Sequence, residues 1–327
     1  MKCTKSSESL TAALRRAALS ALALVLALVC LPAANAFAAQ VEVVATVPSL
    51  AAIAREVGGA RVSVTSLSLP SQDPHFVDAR PSLALALNRA DLLLSVGLEL
   101  EQGWLPTLLT GSRNPKIQLG APGYLDASAF VRLLGVPTGP VDRRMGDVHA
   151  GGNPHYLFAP RNALPIAQAI ADRLSQIDPE GAAAYAEGAK KFVTALTSRI
   201  EGWETRMAPF RGRAIISYHS SWLYLADWLG LKEAAFIEPK PGIAPTPAHV
   251  TKVLAAGRRE KVGVILQETF YADSTSKLIA EKIPARLVKL PGGPDFRGSE
   301  SYADSIEALV AAVQTALAQG AQKEVSK

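Results

Sequence analysis

The stretch DPEGAAAYAEGAKKFVTALTSRIEGWETRM, residues 178–207, carries a helical pattern with no strong breaker before Pro209. Asp178 stands before Pro179 as an N-cap stands before a first-turn proline, where the missing N–H is not needed. Tyr185, Ala189, Phe192, Leu196, Ile200, Trp203 and Met207 recur at spacings of four and three, one face of a helical period. About 28 residues at 1.5 Å each would reach about 42 Å. Gly181, Gly188 and Gly202 each weaken a helix by up to about 1 kcal/mol relative to Ala, so the stripe must be packed to hold. A stiff strut between two lobes and an ordinary core helix both satisfy this pattern.

Working outward, both flanks alternate strand and helix patterns. Before the long helix, Val41–Val47, Arg61–Leu67, Asp91–Val96 and Lys116–Leu119 read as strands. Ser49–Val57, with Ser49 as its cap and Gly58-Gly59 beyond its end, and Pro81–Ala90 read as helices. Residues 120–150 are rich in loop formers, with a short helical stretch at Ala127–Leu134, and a helix runs from Asn162 to Ile177.

After the long helix, Arg213–Ser217, Val262–Leu266 and Ala285–Lys289 read as strands. Ser221–Leu229, Val250–Ala256, Ser274–Ile283 (capped by Ser274) and Tyr302–Ala318 (with Gly320 past its end) read as helices, and Glu238–Pro247 as a proline-rich loop. Strands separated by helices argue for parallel sheets covered on both faces. The expected fold is α/β, with two lobes, each a mainly parallel sheet with flanking helices, joined by a long rigid helix. The boundaries fall at 40–178, 179–208 and 209–327.

Residues 1–39 read as a targeting segment. Lys2, Lys5, Arg15 and Arg16 precede an apolar run over 17–31, and Ala34-Asn35-Ala36 offers a small-x-small cleavage site. The run is short for a membrane span of about 20 residues. Val29 is bulky where a small residue should precede a lipidated Cys30. A cleavable signal peptide and a periplasmic destination are the expectation.

Both cysteines, Cys3 and Cys30, fall in this segment, so the mature chain has no disulfide and no thiolate ligand. The formal charge of +5 drops to about +2 once residues 1–39, net +3, are set aside. No basic block interleaves with aromatics, which argues against nucleic acid as a partner, and nothing points to an oligomer.

Chemistry concentrates in the histidines, of which the chain has five. His75, in Gln-Asp-Pro-His at 72–75, and His155, in Gly-Gly-Asn-Pro-His-Tyr at 151–156, each follow a proline. His219 follows a strand, and Glu268 ends one. Ligands of open α/β sheets bind beyond the carboxyl ends of the strands. Proline stiffens the loops of His75 and His155, so they have less entropy to lose on binding a metal. The separations of 80, 64 and 49 residues from His75 through His155 and His219 to Glu268 form no local finger motif. On spacing alone, a lone histidine in such a loop is more often a hydrogen-bonded structural residue than a ligand. His249, at a helix start, reads as structural.

Further motifs join these. Asp73-Pro74-His75 is followed by Pro81-Ser82, Ala90-Asp91-Leu92 and Gly97-Leu98-Glu99-Leu100-Glu101. Gly152-Asn153-Pro154-His155 with Pro160, Asp178-Pro179, Tyr218-His219-Ser220-Ser221-Trp222 and Val264–Tyr271 follow in order. Together, over about 41–318, they resemble the zinc/manganese family of ABC-transporter solute-binding proteins. The resemblance implies two α/β lobes on a rigid helix, a divalent metal in the cleft between them, and an ABC permease as partner.

Carried over by motif, His75, His155 and His219 are the three imidazole ligands. Many members place an aspartate in a Leu-Asp-Pro-like turn after the last strand; here the turn reads Lys289-Leu290-Pro291-Gly292-Gly293. Glu268 is the candidate fourth ligand, with Asp295, Glu238 or a water as alternatives. Leu157 stands where relatives often have Trp. Residues 120–150 hold only His149, not a histidine-rich loop, and His149 remains a candidate outer or entry ligand.

Nitrogen-rich ligation favours zinc over manganese or iron without excluding either. A zinc-dependent hydrolase also uses three protein ligands and an open position. No general base paired with a nucleophile is evident, so the chain reads as a binding protein and not an enzyme. A metal-binding adhesin or chaperone without a permease is the remaining alternative.

Overall fold

The computed structural model describes residues 40–139, 149–240 and 242–325. The targeting segment expected at 1–39 lies outside them. Two four-stranded, wholly parallel sheets are formed. The first has the order β2-β1-β3-β4, with β1 Val41–Ala45, β2 Val62–Ser66, β3 Leu92–Ser95 and β4 Tyr124–Asp126. The second has the order β6-β5-β7-β8, with β5 Ala214–Ser217, β6 Lys232–Phe236, β7 Val264–Glu268 and β8 Arg286–Leu290. The two orders match strand for strand, so each lobe has its own crossover point and the chain repeats one α/β plan.

Helices cover both faces of each sheet. They are α1 Pro48–Gly58, α2 Pro81–Arg89, α3 Leu105–Ser112, α4 Ala163–Ile177, α5 Ala182–Met207, α6 Leu223–Leu229, α7 Pro247–Arg259, α8 Ser274–Lys282 and α9 Tyr302–Val325. Strand alternation divides the core. In β1, Val43 and Ala45 face one cluster while Val44 faces another with Leu87, Trp104 and Leu108. In β5, Ile215 and Ile216 split in the same way, Ile216 meeting Val253 and Ile279. The inner clusters of both sheets merge into a single core through α5, whose buried residues are the seven of the expected stripe. The long helix is therefore both strut and core helix, and its 26 residues span about 39 Å. Gly188 lies where a Cβ would collide with the Val57 carbonyl of α1, so that glycine allows a close helix approach.

Several local expectations are corrected. Residues 116–119 are not a strand. Pro115–Ile117 is a 3-10 turn that Asn114 caps by accepting from the Lys116 amide at 3.0 Å, and the strand forms later at Tyr124–Asp126. The helix expected over 127–134 is only the 3-10 turn Ala127–Phe130, capped by Asp126. Asp178 accepts from the Gly181 amide, but this caps a 3-10 turn, Pro179–Gly181, and the helix proper starts at Ala182. Val47 and Asp273, not Ser49 and Ser274, hold the N-cap positions of α1 and α8. Gly58 is inside α1, and Gly320 is inside α9, where its Cα packs on Gly263. Helix α3 and strand β6 were not expected.

Candidate metal centre

The carboxyl ends of both sheets meet at the histidines. His219 lies two residues beyond β5, Glu268 is the last residue of β7 and Glu238 lies two residues beyond β6. His75 sits in the loop after β2, and His155 immediately precedes the 3-10 turn Tyr156–Phe158. The rings of His75, His155 and His219 stand 5.2–5.3 Å apart, centroid to centroid. One ligand nitrogen from each lies within 4.8 Å of the other two. His75 and His219 are buried, and Nε2 of His155 is covered with no hydrogen-bond partner among the described residues.

Local sequence sets these rings. Asp73 Oδ1 accepts from the His75 amide at 3.0 Å and lies 2.7 Å from its Nδ1. Asn153 Oδ1 accepts from the His155 amide at 2.9 Å. Both are Asx turns written Asx-Pro-His, with proline fixing the middle residue. Asn153 also donates from Nδ2 to the Ser220 carbonyl at 2.8 Å, and its own carbonyl accepts from Tyr224. One amide thus ties the loop of His155 to the loop of His219. Glu238 Oε2 lies 2.7 Å from Nδ1 of His219. With Nδ1–H donated to Asp73 and to Glu238, His75 and His219 both present Nε2 to the common space, the carboxylate–imidazole arrangement of metal sites.

Burial and the neighbouring imidazoles hold His155 well below the ordinary histidine pKa, so it is neutral and its lone pair is available. Burial pushes Asp73 up, but hydrogen bonds from His75 and the charges of His75 and His219 outweigh this and hold it below its usual value. Burial pushes Glu268 up to about 8 against a hydrogen bond from Ser221, with the Asp73 and Glu238 charges adding to the rise. Its Oε2 is buried without a partner among the described residues. Tyr271, stacked on Tyr218 at 4.6 Å and 6.0 Å from the His219 ring, covers this side and hydrogen-bonds Asp73.

The remaining sequence candidates fall into different roles. His149 brings Nε2 to 3.3 Å from His75 Nε2; burial, then the charges of His75 and His219, push its pKa down to about 4. His149, His219, Glu238, Asn153, Phe236 and Lys240 line an open cavity of about 340 Å³. Asp295 is exposed, accepts from the Gly298 amide at 3.1 Å, and lines a different cavity beside β2. His249 bonds the Phe236 carbonyl at 3.0 Å. The Gly292-Gly293 turn crosses to the first lobe: the Gly292 amide donates to the Pro70 carbonyl at 2.8 Å, and Gly293 packs on Ser49. Sequence reasoning missed the orienting roles of Asp73 and Asn153; the shared Asx-Pro-His spelling was the signal that could have found them.

The family described as ZnuA, zinc-uptake complex component A periplasmic, matches residues 43–316. The chain belongs to this family of metal-binding ABC solute-binding proteins. The high-affinity zinc uptake protein ZnuA of Paracoccus denitrificans is 25% identical over 290 residues, 79% of this chain and 84% of that protein. The iron-binding protein YfeA of Yersinia pestis is 24% identical over 76% of each chain. The manganese-binding lipoprotein MntA of Halalkalibacterium halodurans is 21% identical over 81% of this chain and 85% of its own. A crystal structure of ZnuA superposes with a TM-score of 0.72 at 22% identity, over 85% of this chain and 99% of that one. The match of fold is thus nearly complete for the relative, while the relatives' metals differ.

Proposed function

We propose that this ZnuA-family chain is an extracytoplasmic capture protein that takes up a divalent transition metal, zinc in preference to manganese or iron, and delivers it to an ABC permease. The observation that carries the reading is the convergence of three neutral-capable imidazoles, from both lobes, within 4.8 Å. Zinc is held by N and O ligands at about 2.0–2.2 Å, whereas manganese usually prefers more oxygen. Two further donors lie outside this group of three: Glu268 at the end of β7, with its unpartnered buried oxygen, and His149, whose Nε2 is 3.3 Å from that of His75. Asp73 and Glu238 act from behind the rings.

Residues 40–178 and 209–327 form the two metal-holding lobes in this reading, with 179–208 as their strut. The shared core along α5 favours small adjustments over a wide hinge. Residues 1–39 serve as the export signal, and the chain works as a monomer. Uptake of radioactive zinc by cells carrying the cognate permease tests delivery. Cells with the wild-type chain should take up zinc at low external concentration, and cells with His155→Ala should not; equal uptake by both would refute the assignment.

A further inference from the structure

All four polar groups of buried Asn153 are engaged, and they reach two ligand loops. Its Oδ1 accepts from the His155 amide at 2.9 Å, and its Nδ2 donates to the Ser220 carbonyl at 2.8 Å. Its own amide donates to the Leu134 carbonyl at 2.8 Å. Its carbonyl accepts from the Tyr224 hydroxyl at 3.0 Å, and that hydroxyl accepts from the Leu134 amide at 2.9 Å. The side-chain amide fits only one way round, because the His155 N–H can only donate and the Ser220 carbonyl can only accept. Ser220 adjoins His219, so one planar amide joins the loops of His155 and His219 across 67 residues. We infer that Asn153 is a positioning residue that holds His155 and His219 in register before the ion arrives, so that the metal meets a preset pair. This inference rests on the metal-capture reading above.

The two rings stand edge to face, 88° between planes with centroids 5.2 Å apart. A pair fixed in advance has less freedom to lose on binding. Asp73 and Glu238 orient single rings from behind, whereas Asn153 sets the distance between two loops. Each residue of Gly152-Asn153-Pro154-His155 then has a task. Gly152 has φ of 120°, and a Cβ there would stand 3.1 Å from the Leu134 carbonyl, so glycine lets the loop run against residue 134. Asn153 clasps, Pro154 fixes the bend and His155 supplies the ligand. The turn Asp73-Pro74-His75 has the same plan with a carboxylate in the first position. That carboxylate accepts from the His75 amide and lies against its ring, and no donor is needed there. The two Asx-Pro-His turns therefore differ at the one position where His155's loop requires an N–H to reach a carbonyl.

The test uses Asn153→Asp and Asn153→Ser in the full chain. Both keep an oxygen to accept from the His155 amide. Neither joins the loops, because an ionised aspartate has no donor and serine is too short to reach Ser220; serine also controls for added charge. In chelator-stripped protein with labelled histidines, the proton NMR cross-peak between the His155 and His219 rings should be present in wild type and lost in both variants. Their zinc affinity should fall by roughly 10–100-fold, the usual cost of losing an outer-shell partner, with faster release of zinc to a chelator. Asn114→Ser is the comparator. Asn114 is another buried amide, bonded to the Leu87 and Ala90 carbonyls and the Lys116 amide, none of them in a histidine loop. That variant should lower the melting temperature and leave zinc affinity unchanged. If circular dichroism shows that neither Asn153 variant folds, Tyr224→Phe, which removes the bond to the Asn153 carbonyl, takes their place and should also speed zinc release. Variants that keep the wild-type cross-peak, affinity and release rate, or an equal loss of affinity in Asn114→Ser, would overturn the inference. Wild type that shows the cross-peak yet binds no zinc would overturn the capture reading instead.

Discussion

Glu238 Oε2 sits 2.7 Å from Nδ1 of His219, and both side chains are buried. The carboxylate fixes the ring's tautomer and raises the basicity of Nε2. Glu238→Gln keeps the volume and removes the charge. Zinc affinity should fall by roughly 10–100-fold with little change in secondary structure. Calorimetric titration of stripped protein reads this directly; an unchanged affinity would make Glu238 a packing residue only.

Glu233 on β6 provides a pH readout away from the metal. Burial, against a single hydrogen bond from Ser217 at 2.7 Å, pushes its carboxyl up to about 7 from an ordinary 4.5. A raised carboxyl binds its proton more tightly in the folded state. Stability is therefore greatest below pH 4.5 on this group's account and declines as pH rises toward 7. At about 1.4 kcal/mol per unit, the decline is on the order of 3 kcal/mol. Glu233→Gln should flatten that part of the metal-free protein's stability profile and gain relative to wild type at pH 8. Urea unfolding at pH 5 and pH 8 measures the difference, and parallel profiles would contradict it.

Two glycines of α5 should behave oppositely. A Cβ at Gly188 collides with the Val57 carbonyl, whereas nothing lies near one at Gly202. Gly188→Ala should destabilise the protein by about 1–3 kcal/mol through overpacking. Gly202→Ala, on an exposed face, should stabilise it by up to about 1 kcal/mol through helix propensity. Thermal unfolding of both variants checks the pair, and equal shifts would mean that the helices do not approach as closely as described.

Much of this architecture was legible in the chain because its signals are local. The α5 stripe is a periodicity, and the Asx-Pro-His turns are written in adjacent residues. Apart from the orienting roles of Asp73 and Asn153, which are local and were overlooked, what escaped depends mainly on contacts far apart in sequence. Asn153 reaches Ser220 across 67 residues, and Glu238 reaches His219 across 19. Strand β6, Lys-Glu-Ala-Ala-Phe at 232–236, has little β propensity of its own and forms because it pairs with β5. Helix α3 contains Pro106, Thr107, Thr110 and Gly111, a composition that reads as loop, and is held by burying Leu105 and Leu108 beneath the first sheet. The Gly292-Gly293 turn, where an aspartate was sought, instead crosses to Pro70 and Ser49 of the first lobe, another contact far apart in sequence.

The most direct test of the account is metal content. Mature protein stripped with chelator is exposed to equal zinc, manganese and iron, desalted and measured by elemental analysis, beside His219→Ala. The account predicts about one zinc per chain, little manganese or iron, and loss of the zinc in the variant. No stoichiometric metal, or the same zinc content in His219→Ala, would contradict it.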